Sequence, residues 1–147
     1  MPVPIHKGMQ LSDLEKAENK HSVISGWRTH FNNVTHSMIN GFYQSWDLHP
    51  NQLPARYAAI YAFFLEAVDA QAERLKAFVE KATEANLTGI MFDDAATAQG
   101  LINFFVRGMD CGALTEDEVA ESTGMSIEEL RSASFLQIIE SRRKAGR

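Results

Sequence analysis

The sequence predicts an all-α fold in which long helices form a bundle body and a smaller helical subdomain follows toward the C-terminus. Apolar residues recur every three or four positions through most of the chain, which is the period of an amphipathic helix. Three capping boxes of the form Ser/Thr-x-x-Glu mark helix starts at Ser12, Thr115 and Ser126. The period-two alternation of strands is absent, apart from a "FLQII" stretch too short to count.

Residues 1–11 are predicted to be an N-terminal arm, because they contain Pro2, Pro4 and Gly8. The first long helix then begins at the capping box of Ser12 and Glu15. A face with steps of three and four runs through Leu14, Ala17, His21, Ile24, Trp27, Phe31, Val34, Met38, Phe42 and Trp46. The pattern indicates one long helix over residues 12–46 or two helices broken near Gly26. We expect the aromatic residues of this face, and Tyr43 beside them, to lie in the core rather than to line a ligand pocket.

A second long helix is predicted over residues 55–86, after the break "DLHPNQLP". Its apolar positions alternate in steps of four and three: Tyr61, Leu65, Val68, Ala72, Leu75, Val79 and Ala82. This is the spacing of a coiled-coil seam. The seam predicts either a homodimer or packing against the first long helix, so residues 12–90 are assigned to a bundle and dimerisation body.

A third helix follows, which Asp93 or Asp94 can cap and which would bury four apolar residues: Leu101, Ile102, Phe105 and Met109. The stretch "DCGAL" forms a turn, and its cysteine, Cys111, is expected to be a half-buried small residue. Residues 91–147 are thereby assigned to the C-terminal subdomain, with a basic tail.

Two short helices in this subdomain are predicted from "LTEDEVAESTGMSIEEL". Capping boxes open both of them, and Gly124 lies where the first must end in a left-handed residue. The residues Val119, Ala120, Gly124, Met125, Ser126 and Leu130 match the pattern "VAxxxGMSxxxL". Over roughly 20 residues this stretch resembles the general helix-turn-helix motif of bacterial regulators.

The resemblance implies that the helix beginning at Ser126 would be a recognition helix. Its outward positions would be Ser126, Glu128, Arg131 and Ser132. The tail cations Arg142, Arg143 and Lys144 could bind phosphates beside it. Against DNA stand a net charge of −5 and six acidic residues without one base between Thr115 and Leu130. The leading hypothesis from the sequence is a small regulator that binds double-stranded DNA through this motif. The alternative is a non-catalytic helical subunit or adaptor that binds protein partners.

Other function classes find no support in the sequence. It contains no nucleophile elbow, phosphate loop or dinucleotide fingerprint, so we expect neither an enzyme nor a cofactor. His21, His30 and His36 lie nine and six residues apart, which puts no two of them on one helical turn, and we expect no metal. A single cysteine and the lack of a membrane-length apolar run predict a cytoplasmic protein.

Overall fold

Helices form all of the regular structure among the described residues of a computed structural model of the chain. The structure describes residues 5–6, 8, 10–43, 46–84, 91–132 and 134–144, without the side chains of residues 84 and 91–94. Six α-helices and a short 3-10 helix lie within these ranges, where no residue is in a strand, and the predicted all-α fold is confirmed. The chain divides into two compact units, Met1–Phe63 and Phe64–Arg147. Their boundary falls inside the second long helix, whereas the sequence placed it near residue 90.

Helix α1 is one continuous helix, Asp13–Ile39. The predicted capping box begins it, because the Ser12 side chain accepts from the Glu15 backbone N–H and Glu15 reaches back to Ser12. The prediction of a helix as far as residue 46 is wrong. Gly41 has a φ of +81°, in the left-handed region that ends helices, so Phe42 lies beyond the helix.

A single 3-10 turn, Pro50–Gln52, leads into helix α2, Leu53–Glu84. The His49 side chain accepts from the Asn51 backbone N–H, and the Gln52 side-chain oxygen accepts from the backbone N–H of both Leu48 and His49. These bonds satisfy donors that the start of a helix leaves without helical partners. They also fix the direction in which the chain enters α2.

The C-terminal half of the predicted seam on α2 is buried within the chain. Ala72, Leu75, Val79 and Ala82 are buried, whereas Tyr61 and Val68 are half-buried and Leu65 is exposed. Nearby on the same helix, the Phe64 ring packs on Phe104 with 5.0 Å between ring centroids. The buried half of the seam therefore has its packing partners in this chain.

Helix α3, Met91–Asp110, supplies the core of the second unit with Leu101, Ile102 and Phe105, as predicted. Met109 is only half-buried. The prediction that Asp93 or Asp94 caps this helix is wrong, because α3 already begins at Met91 and both residues lie inside its first turn.

Three short helices complete the second unit: α4, Glu116–Thr123; α5, Ile127–Arg131; and α6, Phe135–Lys144. The capping boxes predicted at Thr115 and Ser126 both form. A small core behind α4 and α5 contains Val119, Met125 and Leu130, all buried, as predicted. On α6, Phe135, Ile138 and Ile139 are buried and Leu136 is exposed.

Within the described ranges, the chain has no helix with both the length and the apolar character needed to cross a membrane.

Candidate functional site

The turn between α4 and α5 is fixed by backbone conformation and capping. Gly124 ends α4 with a φ of +65°, and its N–H donates to the Ala120 carbonyl at 2.9 Å. Two residues later the Ser126 side chain accepts from the Glu129 N–H at 3.2 Å and so begins α5. A left-handed glycine followed by an N-cap reverses the chain within three residues.

Arg131 faces back across this turn. Its guanidinium Nε lies 3.1 Å from Glu116 Oε1 on α4, and its Nη2 binds the same oxygen. Both side chains are about half exposed. The hydrogen bond to Glu116 raises the pKa of Arg131 above its ordinary value. The residue predicted to read bases thus has a carboxylate partner on the neighbouring helix.

Arg142 joins α6 to the turn. Its Nε donates to Glu129 Oε1 at 2.7 Å and its Nη2 donates to Glu129 Oε2 at 3.0 Å. The same Nη2 donates to the Gly124 carbonyl at 3.1 Å. This bidentate pair is mostly buried, and its hydrogen bonds raise the pKa of Arg142. Arg142 therefore uses its Nε and Nη2 donors to bind Glu129 and the Gly124 carbonyl within the chain.

The next cation on α6 also binds within the chain. Arg143 Nη2 donates to the Ala82 carbonyl at 2.6 Å, in the last turn of α2. A cation there satisfies an acceptor that the helix leaves open and favours the negative end of the helix dipole. Lys144 is exposed.

The other residues predicted to lie on the outward face of the recognition helix are small or acidic. Ser126 is used as the N-cap of α5, and the Ser132 hydroxyl donates to the Glu129 carbonyl at 2.7 Å. Glu128 is exposed, and hydrogen bonds from its own backbone N–H and from Ser126 lower its pKa, which favours the charged form. An ionised carboxylate on this face repels phosphate.

A second group of residues runs from the last residue of α1 to the first turns of α2. Most of the aromatics expected in the core are exposed there instead, and they have large apolar neighbours. The exposed large apolar side chains from residue 39 to residue 57 are Ile39, Phe42, Tyr43, Trp46, Leu48, Leu53 and Tyr57. We call these seven residues the apolar segment. The core prediction fails for three of its members because Phe42, Tyr43 and Trp46 follow the end of α1 and share no helical face with it.

Asp47 holds the middle of this segment through two contacts. Its Oδ2 accepts a hydrogen bond from Arg56 Nε at 2.6 Å, and its Oδ1 lies 2.9 Å from His30 Nε2. Because an ionised carboxylate only accepts, the ring proton of His30 lies on Nε2. The bond from Arg56 lowers the pKa of Asp47, against the effect of burial, and the bond from His30 lowers it further.

The side chains of all three residues are close to fully covered. The exposed fraction is 13% for His30, 11% for Asp47 and 8% for Arg56. A second tie lies beside them, where Trp27 Nε1 donates to the Asn51 carbonyl at 2.6 Å. These contacts attach residues 46–51 to α1 and to the start of α2. Trp46 and Leu48 remain exposed on either side of the half-buried Asp47, with exposed fractions of 79% and 90%.

Sequence reasoning missed this cluster, although one signal was available. From Thr29 to Leu65 the only Lys, Arg, Asp or Glu residues are Asp47 and Arg56. Two opposite charges within a long uncharged stretch indicate a pair, because burial of a charge requires a partner. The participation of His30, seventeen residues before Asp47, has no such signal.

Glu18 and His21 line an open depression beside Ile5 with a volume of about 460 Å³. Across the described part of the chain, no three His, Cys, Asp or Glu residues are placed to hold a metal ion.

The chain matches no curated protein and no protein of solved structure. One family model matches residues 1–138, which is most of the sequence. The chain therefore belongs to the family described as a domain of unknown function, DUF6986.

Proposed function

We propose that this chain is a non-catalytic helical module that binds a polypeptide partner through its apolar segment. The observation that carries the proposal is the exposure of seven large apolar side chains along residues 39–57. Large apolar patches on a protein surface mark sites of interaction. Trp and Tyr, which dominate the binding energy of many interfaces, account for three of these seven residues.

The charges of this stretch support a protein partner with an uncharged, apolar surface. Between Thr29 and Leu65 the only formal charges, Asp47 and Arg56, neutralise each other in a pair that is largely shielded from solvent. Interface cores are depleted of charged residues, since a charge buried against an apolar surface loses its hydration. A charged partner surface would incur that loss here, whereas an apolar one would not.

The homodimer predicted from the seam on α2 receives less support. Ala72, Leu75 and Val79 are already covered within the chain, so they are not available to a second copy. Leu65 is the exposed member of the seam. A cytoplasmic setting is part of the proposal, because a lone half-buried cysteine, Cys111, suits a reducing compartment.

DNA binding through α4 and α5 is a second candidate. Two short helices joined by three residues, with a left-handed Gly124, are typical of a helix-turn-helix. The charge pairing favours DNA binding less than protein binding, since Arg131 and Arg142 bind carboxylates of their own chain. In both pairs the carboxylate would compete with phosphate for the cation.

A salt titration against a pool of random DNA duplexes tests this second candidate. We expect no binding between 20 and 200 mM salt, where phosphate contacts lose strength steeply, by roughly 10³-fold or more for six contacts. Binding that weakens steeply with added salt, and weakens further in Lys144→Ala, would favour DNA over a protein partner.

Site-specific photo-cross-linking in the cells that produce the protein tests the leading proposal. Leu48 is replaced by p-benzoylphenylalanine, and in a matched control the same residue replaces Leu136, an exposed leucine on α6. We expect one dominant covalent product from position 48 that disappears when Trp46→Ala is added. Equal yields from both positions, or no product from position 48, would contradict the proposal.

A further inference from the structure

We infer that the polypeptide covering the apolar segment is a second copy of this chain, bound face to face about a two-fold axis. This inference rests on the proposed function and adds the identity of the partner. In such a contact the same patch lies on both sides of the interface. The patch must therefore be complementary to itself in charge as well as in shape.

The charge distribution favours the apolar segment for a self-contact. Along residues 64–147 there are nine Lys and Arg residues against fifteen Asp and Glu residues, a net charge of −6. A face from that unit tends to meet like charge when it meets its copy, and like charges across an interface are unfavourable. Residues 1–63 contain five Lys and Arg against four Asp and Glu, a net charge of +1.

The apolar segment in particular meets its copy without electrostatic conflict. It lies in the stretch from Thr29 to Leu65, where Asp47 and Arg56 are the only formal charges, and the two form an ion pair that is largely shielded from solvent. No like charges from this stretch therefore oppose each other in the self-contact. The gain from removing large apolar side chains from water is therefore not offset by repulsion between like charges.

Trp46 and Leu48 are placed to form the centre of this contact. They are the two most exposed large apolar residues of the chain that the structure describes. They flank Asp47, whose contacts with His30 and Arg56 fix the backbone between them. A side chain whose backbone is already ordered loses less entropy on binding, which favours its use as an anchor.

Sedimentation equilibrium of the purified full chain, from about 1 to 100 µM, tests the inference. We expect a mass of two chains, about twice 16.4 kDa, at the upper concentrations. Trp46→Ala, and separately Leu48→Ala, should raise the dissociation constant of the dimer by roughly 30-fold, as hot-spot substitutions do.

Two variants serve as matched controls because they remove an exposed leucine outside the apolar segment. Leu65→Ala and Leu136→Ala should change the dissociation constant by less than about threefold, since near-neutral positions behave in this way. Circular dichroism of each variant checks that its helices persist. A control that weakens the dimer as much as Trp46→Ala would overturn the assigned surface.

The remaining outcomes separate this inference from the proposed function. A monomer mass at 100 µM, together with a cross-link from position 48 to a different protein, would overturn the self-contact and leave the protein-binding function in place. A monomer that gives no cross-link from position 48 would overturn both. A dimer whose cross-linked product has twice the mass of the chain supports both.

Discussion

Asp47 and Arg56 form an ion pair at 2.6 Å, largely shielded from solvent, that ties the segment after α1 to the first turns of α2. The pair spans nine residues and encloses the 3-10 turn at Pro50–Gln52. Arg56 also donates to the Trp46 carbonyl at 3.3 Å. These contacts hold the backbone around Asp47, while the neighbouring side chains of Trp46 and Leu48 are exposed to solvent. The ion pair therefore fixes the position of two exposed apolar residues.

Removal of one partner of this pair should be costly. We expect Asp47→Ala to lower the free energy of unfolding by roughly 3 kcal/mol, because the buried Arg56 guanidinium loses its counter-charge. Urea denaturation measures the change. The matched control is Asp13→Ala, which removes an Asp from the exposed pair with Lys16 and should cost less than about 1 kcal/mol. Equal losses in the two variants would contradict a structural role for the pair of Asp47 and Arg56.

The ionisation of Asp47 should make the free energy of unfolding depend on pH. Its pKa is lower in the folded chain than in the unfolded chain, so the unfolded state binds more protons as the pH falls. The stabilisation is present above the unfolded pKa of about 3.9 and is lost as the pH falls through the folded pKa. In urea denaturation, wild type should exceed Asp47→Asn at pH 6, and the difference should shrink toward pH 2. A difference that stays constant over this range would contradict the assignment.

Two glycines should respond with opposite sign to the same substitution. Gly124→Ala should destabilise the chain by about 1 kcal/mol, because its φ of +65° is unfavourable for a residue with a Cβ. Gly100→Ala lies inside α3 with nothing within 4 Å of the added carbon, and it should stabilise the chain by roughly 0.5–1 kcal/mol. Thermal unfolding of both variants shows the signs. Stabilisation by Gly124→Ala would mean that the turn between α4 and α5 does not need its left-handed residue.

Two of the three cations of α6, Arg142 and Lys144, should differ in what they contribute to stability. Arg142→Ala should cost roughly 1–3 kcal/mol of unfolding free energy, since Glu129 and the Gly124 carbonyl lose a charged donor. Lys144→Ala removes the same charge from an exposed position in the same last turn and should change stability by less than about 0.5 kcal/mol. Urea denaturation again provides the measurement, and a neutral Arg142→Ala would show that the guanidinium is available for other partners.

Local signals in the sequence predicted the helices well. Three Ser/Thr-x-x-Glu patterns were expected to be capping boxes, and all three form. Gly124 adopts the left-handed conformation that its position after α4 indicated. Caps and left-handed glycines depend on residues within one turn of each other, so the sequence contains all of their determinants.

Predictions that depended on distant contacts did less well. The three-and-four spacing continued by chance through Phe42 and Trp46, although Asn40 and Gly41 mark a helix end before both of them. The partners of Arg131 and Arg142, fifteen and thirteen residues away, depend on how α4, α5 and α6 pack together. Charge counts along the chain cannot show which cations are already paired. The same limitation concealed the contact between His30 and Asp47.

Oxidative labelling of the two tryptophans inside living cells tests the central claim most directly. Trp46 is the more exposed of the pair, at 79% against 37% for Trp27, so hydroxyl radicals should modify it faster if nothing covers it. If a polypeptide covers the apolar segment, the order reverses and Trp46 is modified more slowly than Trp27. Mass spectrometry of the digested chain gives both rates. Modification of Trp46 at the higher rate would contradict the account.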